Sequence, residues 1–211
     1  MAEKGNALRL EVEADGLAVL TFDLPGEKVN KYSARVLLEL EGVLDGLAKR
    51  NDVKALLLVS GKPDIFIAGA DVKEIADVTD PAAIANGARR GHEIMGKLAN
   101  LPFPTVAAIE GACLGGGCET VLAMDWRLAS DSKKTQIGLP EIKLGILPAW
   151  GGTTRLPRVV GLTAALDVIL AGKVVDSHDR VGRIGQRDVD DAAAHQPGQV
   201  GGQLPGGVGV R

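Results

Sequence analysis

The feature that most restricts this chain is a strand, a glycine turn and a helix start that occur together twice. In the first copy, IFIAGAD at 65–71 passes from strand-like residues through Gly69 into DVKEIAD, whose leading acid suits a helix N-terminus. In the second, TVAAIEGA at 105–112 reads as one apolar strand, Gly115-Gly116-Gly117 as a turn and CETVLAMD as a helix. Such junctions belong to an α/β fold with helices packed over a sheet. Each also presents backbone N–H groups at the positive end of a helix, before its internal hydrogen bonds begin, which suits an anion or a developing oxyanion. The candidate donors are the N–H groups of Ala70 and Gly116. On pattern alone, the same turns also serve as plain strand-to-helix connections.

The remaining pattern fits the same class. LRLEVE and LAVLTF flank Asp15-Gly16 as a hairpin. From Ser33, an N-cap, residues Val36, Leu37, Leu40, Val43, Leu44 and Leu47 recur at helical spacing. LLLVS at 56–60 reads as a strand buried on both faces, and DWRLAS as another strand. Proline and glycine then punctuate 139–161 around a short helix, TAALDVILAG gives one more helix, and regular patterning ends near 173–177. Residues 179–211 hold 8 of the 28 glycines, four glutamines, no aromatic residue and no sustained period. They are expected to form a separate, disordered, non-native tail after a main domain at 1–178.

Composition removes several classes of function. A net charge of -3 argues against a binder of the nucleic-acid backbone. Cys113 and Cys118 lack the spacing of a zinc site or a disulfide scaffold, so no metal is expected and a reducing cytoplasm fits best. The N-terminus has no apolar signal-peptide core, and the apolar stretch from Leu98 to Ile109 is broken by Pro102 and Pro104, so no membrane association is expected. GACLGGGCE lacks the Lys-Ser/Thr of a phosphate loop and the G-x-G-x-x-G spacing, and Glu119 would repel a phosphate there.

Glu119 follows Gly116 by three residues, so its side chain can reach the space before the Gly116 N–H. Glu141 is the second acid of interest, set between Pro140 and Gly145. Two carboxyls in one apolar cavity have their proton affinities pushed apart, giving an acid and a base near neutral pH. Spacing alone leaves open whether the two meet, and each also reads as an ordinary helix-start or solvated glutamate. His92 and His178 have no nucleophile partner, Cys118 reads as a small packing residue, and Trp126 and Trp150 read as core or interface residues.

Three segments resemble the crotonase, or enoyl-CoA hydratase/isomerase, superfamily: FIAGADVKEI at 66–75, AAIEGACLGGGCETVLAMDWRLAS at 107–130 and IGLPEIKLGILPAWGGTTRLPRVVG at 137–161. LPEIKLGILP with GGTTRLPR is similar to the hydratase half of the bifunctional bacterial β-oxidation α-subunit. The resemblance implies a spiral of ββα turns and an acyl-CoA thioester oxygen held by the N–H groups of Ala70 and Gly116. It makes Glu119 the residue that activates water for attack at C3, and Glu141 the one that exchanges the C2 proton. It also implies that Ala68, Gly69, Asp71, Val72, Lys73 and Gly115 line the substrate, with Lys28-Val29-Asn30 at the entrance. Coenzyme A is then part of the substrate and no separate cofactor is implied. The partners implied are a second and third copy in a homotrimer and a 3-hydroxyacyl-CoA dehydrogenase. Two glutamates favour hydration of 2-enoyl-CoA; the alternatives are a 3-enoyl to 2-enoyl isomerase and an inactive truncated fragment. Relatives continue with C-terminal helices where this sequence turns into its glycine-rich tail, so those helices are expected to be missing or replaced.

Overall fold

The computed structural model describes residues 5–176. Strands β1 (Leu8–Val12) and β2 (Leu17–Phe22) form the expected antiparallel hairpin, with Gly16 at a positive φ of 95° in the turn. Helix α1 (Ala34–Leu47) starts where the sequence places it, because the Ser33 hydroxyl accepts the Val36 N–H at 3.3 Å. Its buried stripe of Val36, Leu40, Leu44 and Leu47 carries the chain back to β3 (Ala55–Ser60), parallel to β2. Leu56 and Leu58 are buried in β3 while Leu57 and Val59 are half-buried. The strand is therefore packed more deeply on one face than the expected two-sided burial.

Beyond β3 the chain repeats one path. β4 (Ile65–Ile67) leads to α2 (Val72–Asp77) and α3 (Pro81–Ala99). β5 (Thr105–Ile109) and β6 (Ala112–Leu114) lead to α4 (Gly116–Leu122). β7 (Trp126–Ala129) and β8 (Gln136–Gly138) lead to a 3₁₀ turn (Pro140–Leu144). The first strand of each pair joins a five-stranded sheet in the order β1-β2-β3-β5-β7, parallel beyond the opening hairpin. The second strand joins a four-stranded sheet, β4-β6-β8-β9, closed by antiparallel β9 (Val174–Asp176). This is the spiral of ββα turns. α5 (Gly152–Val160) and α6 (Leu162–Leu170) precede β9.

One sequence expectation needs correction here. Residues 105–112 are not a single strand, because the chain leaves the large sheet after Ile109 and enters the small one at Ala112. Gly111 makes the corner at φ 83°, and a Cβ there would stand 2.1 Å from the carbonyl carbon of Asp64. The corners of successive turns stack on one another. Ala112 donates to the Asp64 carbonyl at 3.0 Å, and Gly111 N–H donates to the Thr135 hydroxyl at 3.0 Å. Helix α4 is likewise shorter at its end and longer at its start than expected, beginning at Gly116 and stopping at Leu122. His178, the domain boundary at 178 and the tail at 179–211 lie outside the described residues.

Candidate active site

The two glycine junctions meet. β4 and β6 are parallel neighbours, so the segments that leave their ends run side by side: a Cβ on Gly69 (φ 107°) would stand 3.4 Å from the Gly116 nitrogen. The 68–71 segment is held from its other side by residues 30–32. Ala68 N–H donates to the Asn30 carbonyl, Tyr32 N–H to Gly69, and Asp71 N–H to Tyr32, each at 2.8 Å. That pattern brackets Ala70 and turns its own N–H away from the bridge. Among the described residues, neither the Ala70 N–H nor the Gly116 N–H has an acceptor. Gly116 is the first residue of α4, where an amide has no partner within the helix. Two main-chain donors without an acceptor therefore lie just past the ends of the adjoining strands β4 and β6.

Both candidate acids reach this place and both are buried, Glu119 at 2% exposure and Glu141 at 8%. Glu119 stands on the first turn of α4, and its Oε1 accepts the amides of Trp150 and Gly152, each at 2.8 Å. Burial pushes its carboxyl up to about 7. The Gly152 amide opposes that rise, the charge of Glu141 adds to it, and the Trp150 amide and the Arg155 cation pull it back. Glu141 lies on the 3₁₀ turn, with its Oε1 3.1 Å from where a Cβ on Gly115 would stand. Burial raises its carboxyl too, and its Oε2 is buried with no hydrogen-bond partner. Burial thus raises both carboxyls, and the two differ in their donors: two amides are directed at Glu119, while Oε2 of Glu141 is bare.

The other residues expected at the site differ in exposure. Ala68 is exposed, Gly69 and Gly115 are buried, and Val72 and Lys73 sit exposed on the first turn of α2. Asp71 caps that helix through the Lys73 N–H and pairs with Lys31 at 3.0 Å, a hydrogen-bonded pair that holds its carboxyl below the usual range. Lys28 is exposed and Val29 half-buried, whereas Asn30 is wholly buried. Its Nδ2 donates to the carbonyls of Phe22 and Phe66 and to the Ser60 hydroxyl, and its Oδ1 accepts the Leu24 N–H. His92 is exposed, and burial pushes the Cys118 thiol well up, so neither offers a nucleophile. Among the described residues no cluster of His, Cys, Asp and Glu is placed to hold a metal, and no helix is long and apolar enough to cross a membrane. The residues not foreseen are Trp150 and Gly152, whose amides hold Glu119. Gly151-Gly152 opening α5 is a third glycine junction feeding a helix, and that signal points to them.

Comparison with known proteins gives the family. The family model described as enoyl-CoA hydratase/isomerase matches residues 12–184, and the chain belongs to that family. Among solved structures, the enoyl-CoA hydratase of Bacillus anthracis is 28% identical with a TM-score of 0.78, covering 85% of this chain and 68% of that one. An enoyl-CoA hydratase of Geobacillus kaustophilus HTA426 is 31% identical with a TM-score of 0.80, covering 86% of this chain and 67% of that one. DspI of Pseudomonas aeruginosa is 34% identical with a TM-score of 0.77, covering 88% of this chain and 73% of that one. The chain is thus an enzyme of the crotonase type, about two thirds as long in its matched part as these relatives.

Proposed function

We propose that the chain hydrates 2-enoyl-CoA thioesters to 3-hydroxyacyl-CoA. The observation that carries this reading is the meeting of two buried carboxyls, one anchored and one with a bare oxygen, beside two unengaged main-chain amides. Attack on C3 of an enoyl thioester moves an electron pair onto the thioester oxygen, where Ala70 N–H and Gly116 N–H would hold it. Glu119, carrying the charge, takes a proton from the attacking water as its oxygen bonds to C3. Glu141, carrying the proton, delivers it to C2 as the enolate collapses, and the two side chains exchange roles in the reverse reaction. The two amides directed at Glu119 and the bare Oε2 of Glu141 support this division, and a Glu119 carboxyl pushed up to about 7 suits a base, which works best when its proton affinity is near the working pH.

Ala68, Gly69, Asp71, Val72, Lys73 and Gly115 would line the coenzyme A arm, and Lys28-Val29-Asn30 its entrance. Coenzyme A arrives as part of the substrate, with no separate cofactor. The reading places the protein in cytoplasmic fatty acid β-oxidation, as a homotrimer whose product passes to a 3-hydroxyacyl-CoA dehydrogenase. The similarity of LPEIKLGILP and GGTTRLPR to the bifunctional α-subunit motivates that last partner. The test is spectrophotometric hydration of crotonyl-CoA, run beside a 3-enoyl-CoA. Loss of absorbance from the 2-enoyl thioester is expected. Turnover of the 3-enoyl substrate alone would overturn hydration in favour of isomerisation.

A further inference from the structure

Tyr32 belongs to neither glycine junction and is neither of the acids, yet it is linked to both junctions and to the residue that holds Glu119. Its backbone forms the bridge that brackets Ala70, donating to the Gly69 carbonyl and accepting from Asp71, both at 2.8 Å. Its buried hydroxyl lies 3.0 Å from the Thr120 hydroxyl, which donates to the Gly116 carbonyl at 2.8 Å. Since the Thr120 proton is committed to Gly116, the tyrosine is the donor in the first of these bonds. Its ring stands edge-on to Trp150, with centroids 5.7 Å apart at 70°, and Trp150 N–H holds Glu119. Phe22 packs the ring from another side at 5.3 Å.

We infer that Tyr32 is a positioning residue for the reaction, setting the spacing of the two oxyanion donors with its backbone at Ala70 and its hydroxyl, through Thr120, at Gly116. Packing alone does not call for this hydroxyl. A phenylalanine would fill the same apolar site between Phe22 and Trp150, so the phenol contributes a directed bond and not only volume. Burial keeps the phenol protonated and therefore a donor throughout the working pH range. Amides separated along the chain by this many residues hold a common target only if something ties their strands together, and small misplacements of such groups are expensive in rate. The chain from Tyr32 to Thr120 to Gly116 is such a tie.

The inference rests on the hydratase reading, and the experiment separates their failures. Crotonyl-CoA hydration is measured for the full chain and for Tyr32→Phe, Thr120→Val, the double variant and Thr120→Ser, with amide hydrogen exchange at Ala70 and Gly116 followed in each. Tyr32→Phe is expected to lower kcat roughly tenfold while KM stays within about twofold, because the oxyanion bonds tighten at the transition state. Thr120→Val gives a similar loss, the double variant loses little more, and Thr120→Ser restores most of the rate. The pH profile keeps its shape, since neither acid is altered. Exchange at Gly116 quickens in Tyr32→Phe, while exchange at Ala70, bracketed by the backbone that the variant keeps, is unchanged. A wild-type kcat in Tyr32→Phe, a rise confined to KM, or losses that multiply in the double variant would overturn the inference. Absence of turnover in the unmodified chain would count against the hydratase reading alone. In that case the exchange rates decide, with quickening at Gly116 in Tyr32→Phe supporting the tie and an unchanged rate there refuting it.

Discussion

Replacing Glu119 with Gln removes one negative charge while leaving an oxygen in place to accept the Trp150 and Gly152 amides. The folded protein holds the Glu119 proton to about 7 against an ordinary glutamate value of 4.5. At about 1.4 kcal/mol for each tenfold change in proton affinity, that displacement amounts to about 3 kcal/mol against the ionised fold. The sign follows from which state keeps the proton. Below 4.5 both states hold it and no stability is lost; between 4.5 and about 7 the unfolded chain ionises first and is favoured; above about 7 the loss is complete. Urea unfolding of both proteins from about pH 5 to about pH 8 should therefore show the Gln variant gaining on the wild type by about 2 kcal/mol across the window. The same substitution should cut crotonyl-CoA hydration roughly 100-fold or more. Stability curves that run parallel for the two proteins across that pH range would refute the account of a charge held against burial.

Three further outcomes follow from the same geometry. Glu141→Gln should lower kcat roughly 100-fold or more with little change in KM, and should abolish exchange of the C2 proton with deuterated solvent; retained exchange would exclude Glu141 as the proton donor. Gly111→Ala places a Cβ 2.1 Å from the Asp64 carbonyl carbon at a φ of 83°, and should destabilise the fold by roughly 3 kcal/mol or more, read as a lowered melting temperature. Asn30→Ala removes the partner of the Leu24 N–H and a donor to the Phe66 carbonyl, while the Phe22 carbonyl keeps the Gly61 N–H, and should cost about 2 kcal/mol in urea melts; a loss below about 0.5 kcal/mol would mean that water repairs the gap.

What the sequence made legible is local chemistry. Ser33 and the stripe from Val36 to Leu47 announce α1 within a few residues of each other, so no distant partner is needed to recognise it. The glycines at 69 and 115–117 mark both junctions for the same reason. The corner at Gly111 escaped because Glu110 alone breaks the apolar run from Val106 to Ala112. What divides it between two sheets is contact with Asp64 and Thr135, residues far away in the chain. Glu119 and Glu141 were legible as acids placed near glycine turns, but their meeting was not, since a carboxylate does not reveal its donors. Trp150 and Gly152 donate through backbone atoms, which any residue type carries, and the Tyr32 hydroxyl finds Thr120 only once α4 is in place.

The stacked corners also fix an order of assembly. Residues 70 and 116 come from consecutive coils of the spiral, Glu141 from the next, and the amides that grip Glu119 only from residues 150 and 152. A nascent chain emerging from the ribosome thus exposes both main-chain donors before the residues that anchor Glu119, and until position 152 is out that carboxyl lacks one of the two amides that hold it in the finished fold.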